Sequence, residues 1–244
     1  MNETLRELYE RKSMRAFTAQ PISPEDREAI LRAAFMAPTP GCQQLYTIID
    51  VTDQSLKDAL SVSCDNQPFM AKAPMMLIFC ADCQKWYDAY ADVGCSPRKP
   101  GKGDFLLAAE DALIAAQNTV AAAESLGIGS CYIGDIMENY EYHRELLHLP
   151  EYVFPAALLV YGYPTEPQLR REKPRRADAK WIVHENSYRP LDAEDRKALF
   201  SAYAGEKDYT EWMRAFCNRK YLSDFAVEMS RSVAAFLEKL GPER

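Results

Sequence analysis

The sequence lacks a long apolar segment. Its longest apolar runs, APMMLIFCA and FPAALLVYGY, fall far short of the roughly 20 residues that a membrane-spanning helix requires. The start of the chain, MNETLRELYERK, also lacks the apolar core of a signal peptide. We therefore expect a soluble, cytoplasmic protein with no membrane partner.

Positive charge is in deficit over the chain as a whole. The sequence has 36 Asp and Glu against 29 Lys and Arg, which gives a formal net charge of -7. This balance argues against binding to nucleic acid, which depends on an extended basic surface. Any site for an anion must then be a local pocket.

The familiar motifs of metal sites and catalytic nucleophiles are missing as well. The seven cysteines are scattered and odd in number, so we expect reduced thiols rather than a disulfide framework. Cys80 and Cys83 form a lone CxxC at the end of an apolar run, which favours buried strand residues over a zinc or redox site. GxSxG and HExxH are absent, and no metal is expected. A bound cofactor becomes the best source of chemistry.

The clearest helix signals lie in the first half of the chain. Ser23 and Pro24 predict the start of a helix that ends before Pro38. Strand-like runs follow at residues 46–51 and in APMMLIFCAD, with a helix over residues 54–63 between them and an exposed excursion, VGCSPRKPGKGD, after them. This alternation, with few strands for the length, predicts an α+β fold with a modest sheet.

The second half begins with an Ala-rich helix over residues 104–126, which has small residues on more than one face. Such a helix is buried on several sides, as at the centre of a dimer. FPAALLVYGYP predicts a further strand, and the proline-rich, basic TEPQLRREKPRRADAKW predicts a loop. We expect one domain over residues 1–244, in which residues from about 192 onward form a helical carboxy-terminal arm.

Two short basic stretches stand out against the acidic background. In ERKSMRAF an extended backbone would aim alternate residues the same way, and guanidinium groups beside a hydroxyl suit a phosphate. REKPRR lies about 160 residues later and could converge on the same anion. Each stretch taken alone is better explained as solvated surface. The residues concerned are Arg11, Ser13, Arg15, Lys173 and Arg175.

Glycines are concentrated between these basic stretches, in SLGIGSCYIGDI. Glycine allows a flat ligand to approach the backbone closely. The spacing is not GxGxxG, and the segment follows a helix rather than a strand, so a dinucleotide-binding Rossmann loop is disfavoured.

Five stretches, taken in order, resemble the FMN-dependent nitroreductase family over nearly the whole chain. They are ERKSMRAF, APTPGCQQLYTIID, NQPFMAKAPMMLIFCAD, AAQNTVAAAESLGIGSCYIG and KPRRADAKWIVHENSYRPL. The late KPR, the following VHENSY and the helical arm are most similar to the oxygen-insensitive NADPH nitroreductases and NADPH-flavin oxidoreductases.

The resemblance implies a nitroreductase-like fold, with an antiparallel or mixed central sheet flanked by helices. It also implies an intertwined homodimer with FMN at the subunit interface. The residues that it assigns to the cofactor are Arg11, Lys12, Ser13, Arg15, Pro38, Thr39, Pro40, Gln67, Tyr132, Ile133, Gly134, Asp135, Lys173 and Arg175.

The same resemblance implies particular roles for some of these residues. Arg15 would place a positive charge near the flavin pyrimidine ring, which makes flavin reduction easier. Gln67 would read the pyrimidine edge, and residues 38–40 would pack on the ring of the partner subunit's flavin. The backbone at Gly134 and Asp135 would donate to flavin N5, so no side chain is expected to act as an obligatory acid or base.

Some positions depart from the family pattern. Cys42 stands where many members have Asn, and Asp135 stands where Gly is frequent after YIG, which would bring a carboxylate close to flavin N5. These changes bear on substrate range more than on FMN binding. Arg219 and Lys220, in a basic part of the arm, are the candidates for contacting the 2'-phosphate of NADPH.

The activity implied is ping-pong hydride transfer from NADPH or NADH to a nitroaromatic, quinone or flavin acceptor. Two alternatives remain open at the level of the sequence. One is a specialised flavin, enoate or azo reductase of the same family, and the other is a flavin-binding carrier or sensor without turnover.

Overall fold

A computed structural model describes residues 1–241, which divide into two compact units. Among the described residues, the first unit contains Met1–Arg171 and residues 228–241, and the second contains Glu172–Val227. The prediction of one domain with an arm from about residue 192 stays a prediction. Within the described residues no helix is both long and apolar enough to cross a membrane.

The helices of the first unit alternate with its strands. The helices are α1 (Glu3–Glu10), α2 (Pro24–Phe35), α3 (Gln54–Ser63), α4 (Gln84–Asp92), α5 (Lys102–Ser125), α6 (Tyr140–Leu146) and α7 (Glu166–Arg170). The strands are β1 (Tyr46–Asp50), β2 (Met75–Asp82), β3 (Gly129–Ile133) and β4 (Val153–Gly162). Short 3-10 helices cover Pro40–Cys42 and Gly134–Met137.

The second unit is mainly helical from residue 193 onward, as predicted for the tail of the chain. A 3-10 helix covers Ala179–Trp181, and α8 (Ala193–Ala204) and α9 (Tyr209–Lys220) follow. The last helix, α10 (Asp224–Leu237), begins in this unit and continues in the first. Within α9, Trp212 and Phe216 stack with their ring centres 5.1 Å apart.

The predicted boundaries of α2 are confirmed. The Ser23 hydroxyl accepts a hydrogen bond from the Asp26 amide at 3.0 Å, and Pro24 occupies the first helical turn. This cap satisfies an amide group that has no partner within the helix. The helix ends at Phe35, before Pro38.

The four strands form one antiparallel sheet in the order β1-β2-β4-β3. β2 and β4 occupy the centre, and every residue of β2 is buried, which explains its continuous apolar run. The pairing register shifts between Phe79 and Cys80, where β2 lies opposite Pro155. Because proline has no amide hydrogen to donate, an irregularity in the ladder at this point is expected.

Helix α5 packs across one face of the sheet through small side chains. Ala112, Ala116 and Val120 lie in a buried cluster with Leu77 and Leu159. Residues without bulky side chains let the helix approach the strands closely, so this face of α5 is fully buried while other faces remain exposed.

Two segments depart from the sequence-based prediction. The stretch predicted as a loop after β4 contains helix α7 and the 3-10 helix at Ala179–Trp181, and α4 was not predicted. Glu166 begins α7 after Thr165, and an ion pair to Arg170 at 3.2 Å joins one helical turn. Pro167 lies in the first turn of α7, where its missing amide hydrogen removes no helix hydrogen bond, so this proline is compatible with the helix.

The basic segment after α1 adds an isolated bridge to the edge of the sheet. The Met14 amide donates to the Ser130 carbonyl at 2.9 Å, and Phe17 pairs with Pro164. Met14 is only 4% exposed. The segment is therefore fixed along the start of β3 and the end of β4.

We predict that Gly129→Ala destabilises this junction. A Cβ atom at Gly129 would lie 2.6 Å from Met14 Cγ and 2.7 Å from Pro164 Cγ. Overpacking of this kind lowers the free energy of unfolding by about 1–3 kcal/mol. Urea unfolding measures this change. Gly103→Ala is the matched control because nothing lies within 4 Å of its added Cβ. Equal stability of the two variants would contradict the tight approach.

Candidate functional site

The basic amino-terminal segment presents its polar side chains on one side. Met14 is buried while Arg15 is exposed and Ser13 is partly exposed, so side chains alternate as predicted for an extended backbone. Ser13 hydrogen-bonds the thiol of Cys131 in β3, and Arg11 and Arg15 lie near that thiol. The structure thus brings together the three residues Arg11, Ser13 and Arg15 that the sequence predicted.

The charges of this cluster act on the pKa of the Cys131 thiol. Its burial raises its pKa, and the nearby positive charges and the Ser13 hydrogen bond act in the opposite direction. Cys131 therefore remains a neutral thiol at physiological pH. Its side chain packs beside the cluster and is not a reactive nucleophile.

Arg171 completes the cluster, and sequence analysis missed it. Its Nη2 donates to the Ser13 carbonyl oxygen, and its charge also acts on Cys131. Lys12 Nζ donates to the carbonyl oxygens of Leu169, at 2.7 Å, and of Arg171. The Arg15 amide donates to Gln168 Oε1 at 3.1 Å. Lys12 therefore anchors the segment that follows β4, and its ammonium group is turned toward protein carbonyls.

The cluster has the chemistry of an anion site. Arg11 Nε is buried and has no hydrogen-bond partner among the described residues. A buried donor without a partner is costly, and an anion accepting from it would remove that cost. Three guanidinium groups beside one hydroxyl suit a phosphate group. The residues present therefore fit the phosphate of a cofactor such as FMN.

Residues 132–135 continue from this cluster at the end of β3. Burial raises the pKa of Tyr132 to about 12, against the effect of the Arg11 charge. Ile133 is buried, while Gly134 is exposed and a Cβ added there would meet only Met137 Cε, at 4.0 Å. The backbone at Gly134 is therefore open to a flat ligand.

Gln67 contacts Asp135 directly. Its Nε2 donates to Asp135 Oδ2 at 2.9 Å and to the Cys64 carbonyl oxygen at 2.8 Å. The two predicted residues are thus brought together, but the carboxylate of Asp135 is turned toward Gln67 and toward Glu138, which sequence analysis did not single out.

The loop containing Pro38, Thr39 and Pro40 is anchored to α5. Thr39 Oγ1 donates to Asp111 Oδ2 at 2.8 Å, and the Leu45 amide donates to the same oxygen at 2.7 Å. Asp111 is buried and was not singled out from the sequence, although an acid within an Ala-rich helix was a visible signal.

Cys42 in this loop has a left-handed backbone. Its φ is 57°, and those of its neighbours Gly41 and Gln44 are 56° and 48°. Asn tolerates this conformation better than most residues because its side chain bonds the local backbone. The Asn-to-Cys departure noted in the sequence therefore falls where the backbone favours Asn.

A separate cavity of about 390 Å³ opens beside this loop. Trp86, Tyr87 and Tyr90 form its aromatic wall, and an ion pair joins Arg98 to Asp104 at its edge. None of the residues predicted to contact FMN lines it. The cavity suits a flat, apolar molecule.

The remaining predicted residues lie in the second unit. Lys173 is partly exposed and Arg175 exposed. Arg219 lies 5.1 Å from the ring centre of Phe216, and Lys220 lies 5.1 Å from that of Phe225. The convergence of Lys173 and Arg175 with the basic amino-terminal segment stays a prediction.

The cysteines of the apolar run are buried thiols in the structure. Cys80 lies in β2 and Cys83 directly after it, and burial raises the pKa of each to about 12. All seven cysteines are free. Within residues 1–241 no group of three or more His, Cys, Asp or Glu is arranged to hold a metal ion.

Comparison with known proteins adds independent evidence. The sequence pattern described as "Nitroreductase family" matches residues 8–163. The chain is 33% identical over 242 residues to "FMN reductase [NAD(P)H]" of Bacillus subtilis (strain 168), covering 98% of this chain and 93% of that protein. It is 37% identical over 194 residues to "Oxygen-insensitive NADPH nitroreductase" of Salmonella typhimurium, covering 79% and 77%.

Solved structures show the same similarity in three dimensions. The structure of "NADPH:FMN oxidoreductase from Vibrio harveyi complexed with NAD+" superposes with a TM-score of 0.81 at 27% identity. The match covers 97% of this chain and 98% of that one.

Proposed function

Because this chain belongs to the nitroreductase family, we infer that it is an FMN-dependent NAD(P)H oxidoreductase acting on small-molecule electron acceptors. When bound, FMN supplies a ring that takes a hydride from NAD(P)H and passes it to the acceptor in a second step. The protein contributes binding, orientation and charge.

The basic cluster is the observation that carries this proposal. We propose that Arg11, Ser13, Arg15 and Arg171 surround the cofactor phosphate, with Lys12 anchoring the segment from behind. The buried, unpartnered Nε of Arg11 supports this assignment because it needs an acceptor. The family resemblance also assigns Lys173 and Arg175 to this phosphate.

The other end of the cofactor is assigned to residues beyond β3. Gly134 and Asp135 would offer backbone donors, Tyr132 and Ile133 would line the approach, and Gln67 would meet the pyrimidine edge. The open backbone at Gly134 supports this placement. Arg15 would contribute a positive charge that favours the reduced, more negative form of the ring.

We further propose that the active form is a homodimer. Helix α5 exposes large apolar side chains, of which Leu106 is 59% exposed. Leu107, Leu113 and Ile114 of the same helix are also exposed, and an apolar surface of this kind favours burial in an interface. Residues 38–40 would then pack on the flavin of the partner subunit.

The electron donor is NADPH or NADH. We propose that Arg219 and Lys220 contact the 2'-phosphate of NADPH, because both are exposed cations at the end of α9. The acceptor is assigned only by chemical class. Rates with nitroaromatics, quinones, free FMN, enoates and azo compounds decide between a nitroreductase and a more specialised reductase.

The test of the function is the visible spectrum of the purified protein, taken before and after anaerobic addition of NADPH. We expect a flavin spectrum that bleaches with NADPH and returns when an acceptor is added. A flavin that binds but is never reduced would favour a carrier or sensor. A protein that takes up no FMN would contradict the proposal.

Arg15→Ala and Arg175→Ala should separate the rate of reduction from affinity for FMN. Loss of one charged contact lowers a rate constant or a binding affinity by about tenfold. We expect Arg15→Ala to slow anaerobic bleaching by that factor with little loss of FMN affinity, and Arg175→Ala to do the reverse. Arg6→Ala is the control, since its ion pair with Glu3 lies on the surface of α1. Equal loss of affinity in both variants, with unchanged bleaching rates, would remove the role of Arg15.

Leu106→Glu should weaken the dimer. A carboxylate in an apolar interface must be desolvated, which shifts the equilibrium toward monomer. Sedimentation velocity measures this shift, and the FMN content per chain should fall with it because the partner supplies part of the site. Val62→Glu, on an exposed face of α3, is the control. An unchanged dimer in Leu106→Glu would place the interface elsewhere.

A further inference from the structure

Three polar side chains, Gln67, Asp135 and Glu138, are connected in a row. Gln67 donates to Asp135, and the carboxyl groups of Asp135 and Glu138 are in hydrogen-bonding contact. The Glu138 amide also donates to the Asp135 carbonyl at 3.0 Å. The loop after α3 and the turn after β3 are joined through these groups.

Gln67 is held in one orientation. Its Nε2 carries two hydrogens, and both are donated, to Asp135 and to the Cys64 carbonyl. The reversed amide would place Oε1 against these same acceptor oxygens. Gln67 is therefore left with Oε1 as the group that it can offer to a ligand, and this oxygen accepts from an N–H group.

Contact between two carboxyl groups requires a proton. Carboxylates only accept hydrogen bonds, so one member of the pair must be protonated to donate. Glu138 is the buried member, at 5% exposure, and its Oε1 has no hydrogen-bond partner among the described residues. An ionised carboxylate in that position would be left poorly solvated. Glu138 is therefore the protonated acid.

The surrounding charges strengthen this conclusion. Asp65, which follows α3, and Glu228, on α10, both add negative charge near Glu138, and Glu228 is itself bound by Arg231. Cys64 lies nearby as a buried thiol. The ring of His143 on α6 is buried, which lowers its pKa and keeps it neutral. Burial first, and then the charge and hydrogen bond of Asp135, raise the pKa of Glu138 to about 7.

We propose that Glu138 holds a proton that it donates to Asp135, and that this pair positions Gln67 so that its amide oxygen receives an N–H group of the ligand. The ligand side of the inference rests on the proposed function, because the pyrimidine ring of FMN carries such an N–H. Glu138 is a positioning residue. Its deprotonation places two carboxylates in contact, which releases Asp135 and, through it, Gln67.

The first test follows the proton in the full-length protein by infrared spectroscopy. We expect a protonated carboxylic acid band at pH 6 that disappears by pH 8.5 and is absent from Glu138→Gln. Glu145→Gln, which changes an exposed carboxyl of α6 in the same way, should keep the band. A wild-type spectrum without a titrating band would overturn the shared proton.

Thermal unfolding supplies a second readout with a defined sign. The pKa of Glu138 rises from 4.5 to about 7 on folding, so its stabilising contribution is complete below pH 4.5 and is lost as the pH rises toward 7. The unfolding temperature of Glu138→Gln minus that of the wild type should therefore increase over this interval. A difference that is constant with pH would contradict the proposal.

The pH dependence of FMN affinity tests whether the Glu138–Asp135 pair acts on the proposed flavin site. Loss of one ordered hydrogen bond should weaken FMN binding by about threefold to tenfold between pH 6 and 8.5 in the wild type. Glu138→Gln keeps a donor and should bind FMN with little pH dependence, whereas Glu138→Leu should bind weakly at both pH values. If Glu138→Leu does not fold, the Gln variant and the wild-type infrared titration still decide the question.

The outcomes distinguish this inference from the proposed function. A titrating acid band with no FMN binding at any pH would sink the proposed function while leaving the shared proton in place. Normal FMN binding and bleaching, with identical pH dependence in wild type and Glu138→Gln, would sink the positioning role and leave the function intact.

Discussion

Burial of Met14 against the start of β3 is the constraint on which the proposed cofactor site depends. The Met14 side chain is buried and its amide bonds Ser130, so the residues on either side must point away from the core. Ser13 and Arg15 gain their common direction from this single contact. Arg171 and Lys12 then bind the segment that follows β4 to the same stretch, which concentrates positive charge there.

Two buried acids hold residues of the proposed site in the first unit. Asp111 in α5 accepts hydrogen bonds from Thr39 and Leu45, so it carries the loop that would meet the partner's flavin. Glu138 supports Asp135, which supports Gln67. In both cases a buried acid that is not itself assigned to the ligand holds a residue that is assigned to the proposed site.

The sequence predicted well where the signal was local. The start of α2 followed from Ser23 and Pro24, because a cap and a fixed φ act on adjacent backbone groups. The continuous apolar run of β2 predicted a strand because this signal is also carried by adjacent residues. Helix α7 was missed because the prolines were interpreted as helix breakers, whereas Pro167 lies in the first turn, where its missing amide hydrogen removes no helix hydrogen bond. The alternation of Arg11, Ser13 and Arg15 was predicted, whereas Arg171 was one cation among several in a stretch where spacing gave no basis for choosing.

The sequence by itself determined the class of fold, the absence of nucleophile and metal motifs, and the family resemblance that similarity to known proteins confirmed. These properties are carried by residue type and order along the chain. Only the tertiary structure decided that Arg171 joins Ser13, that Asp111 anchors Thr39 and that Glu138 meets Asp135. Residues 13 and 171 lie far apart in the sequence, and burial near 138 is set by α3, α6 and α10 together. A local sequence pattern does not show which distant charged groups are buried next to one another. Their shared burial determines which side chain keeps a proton.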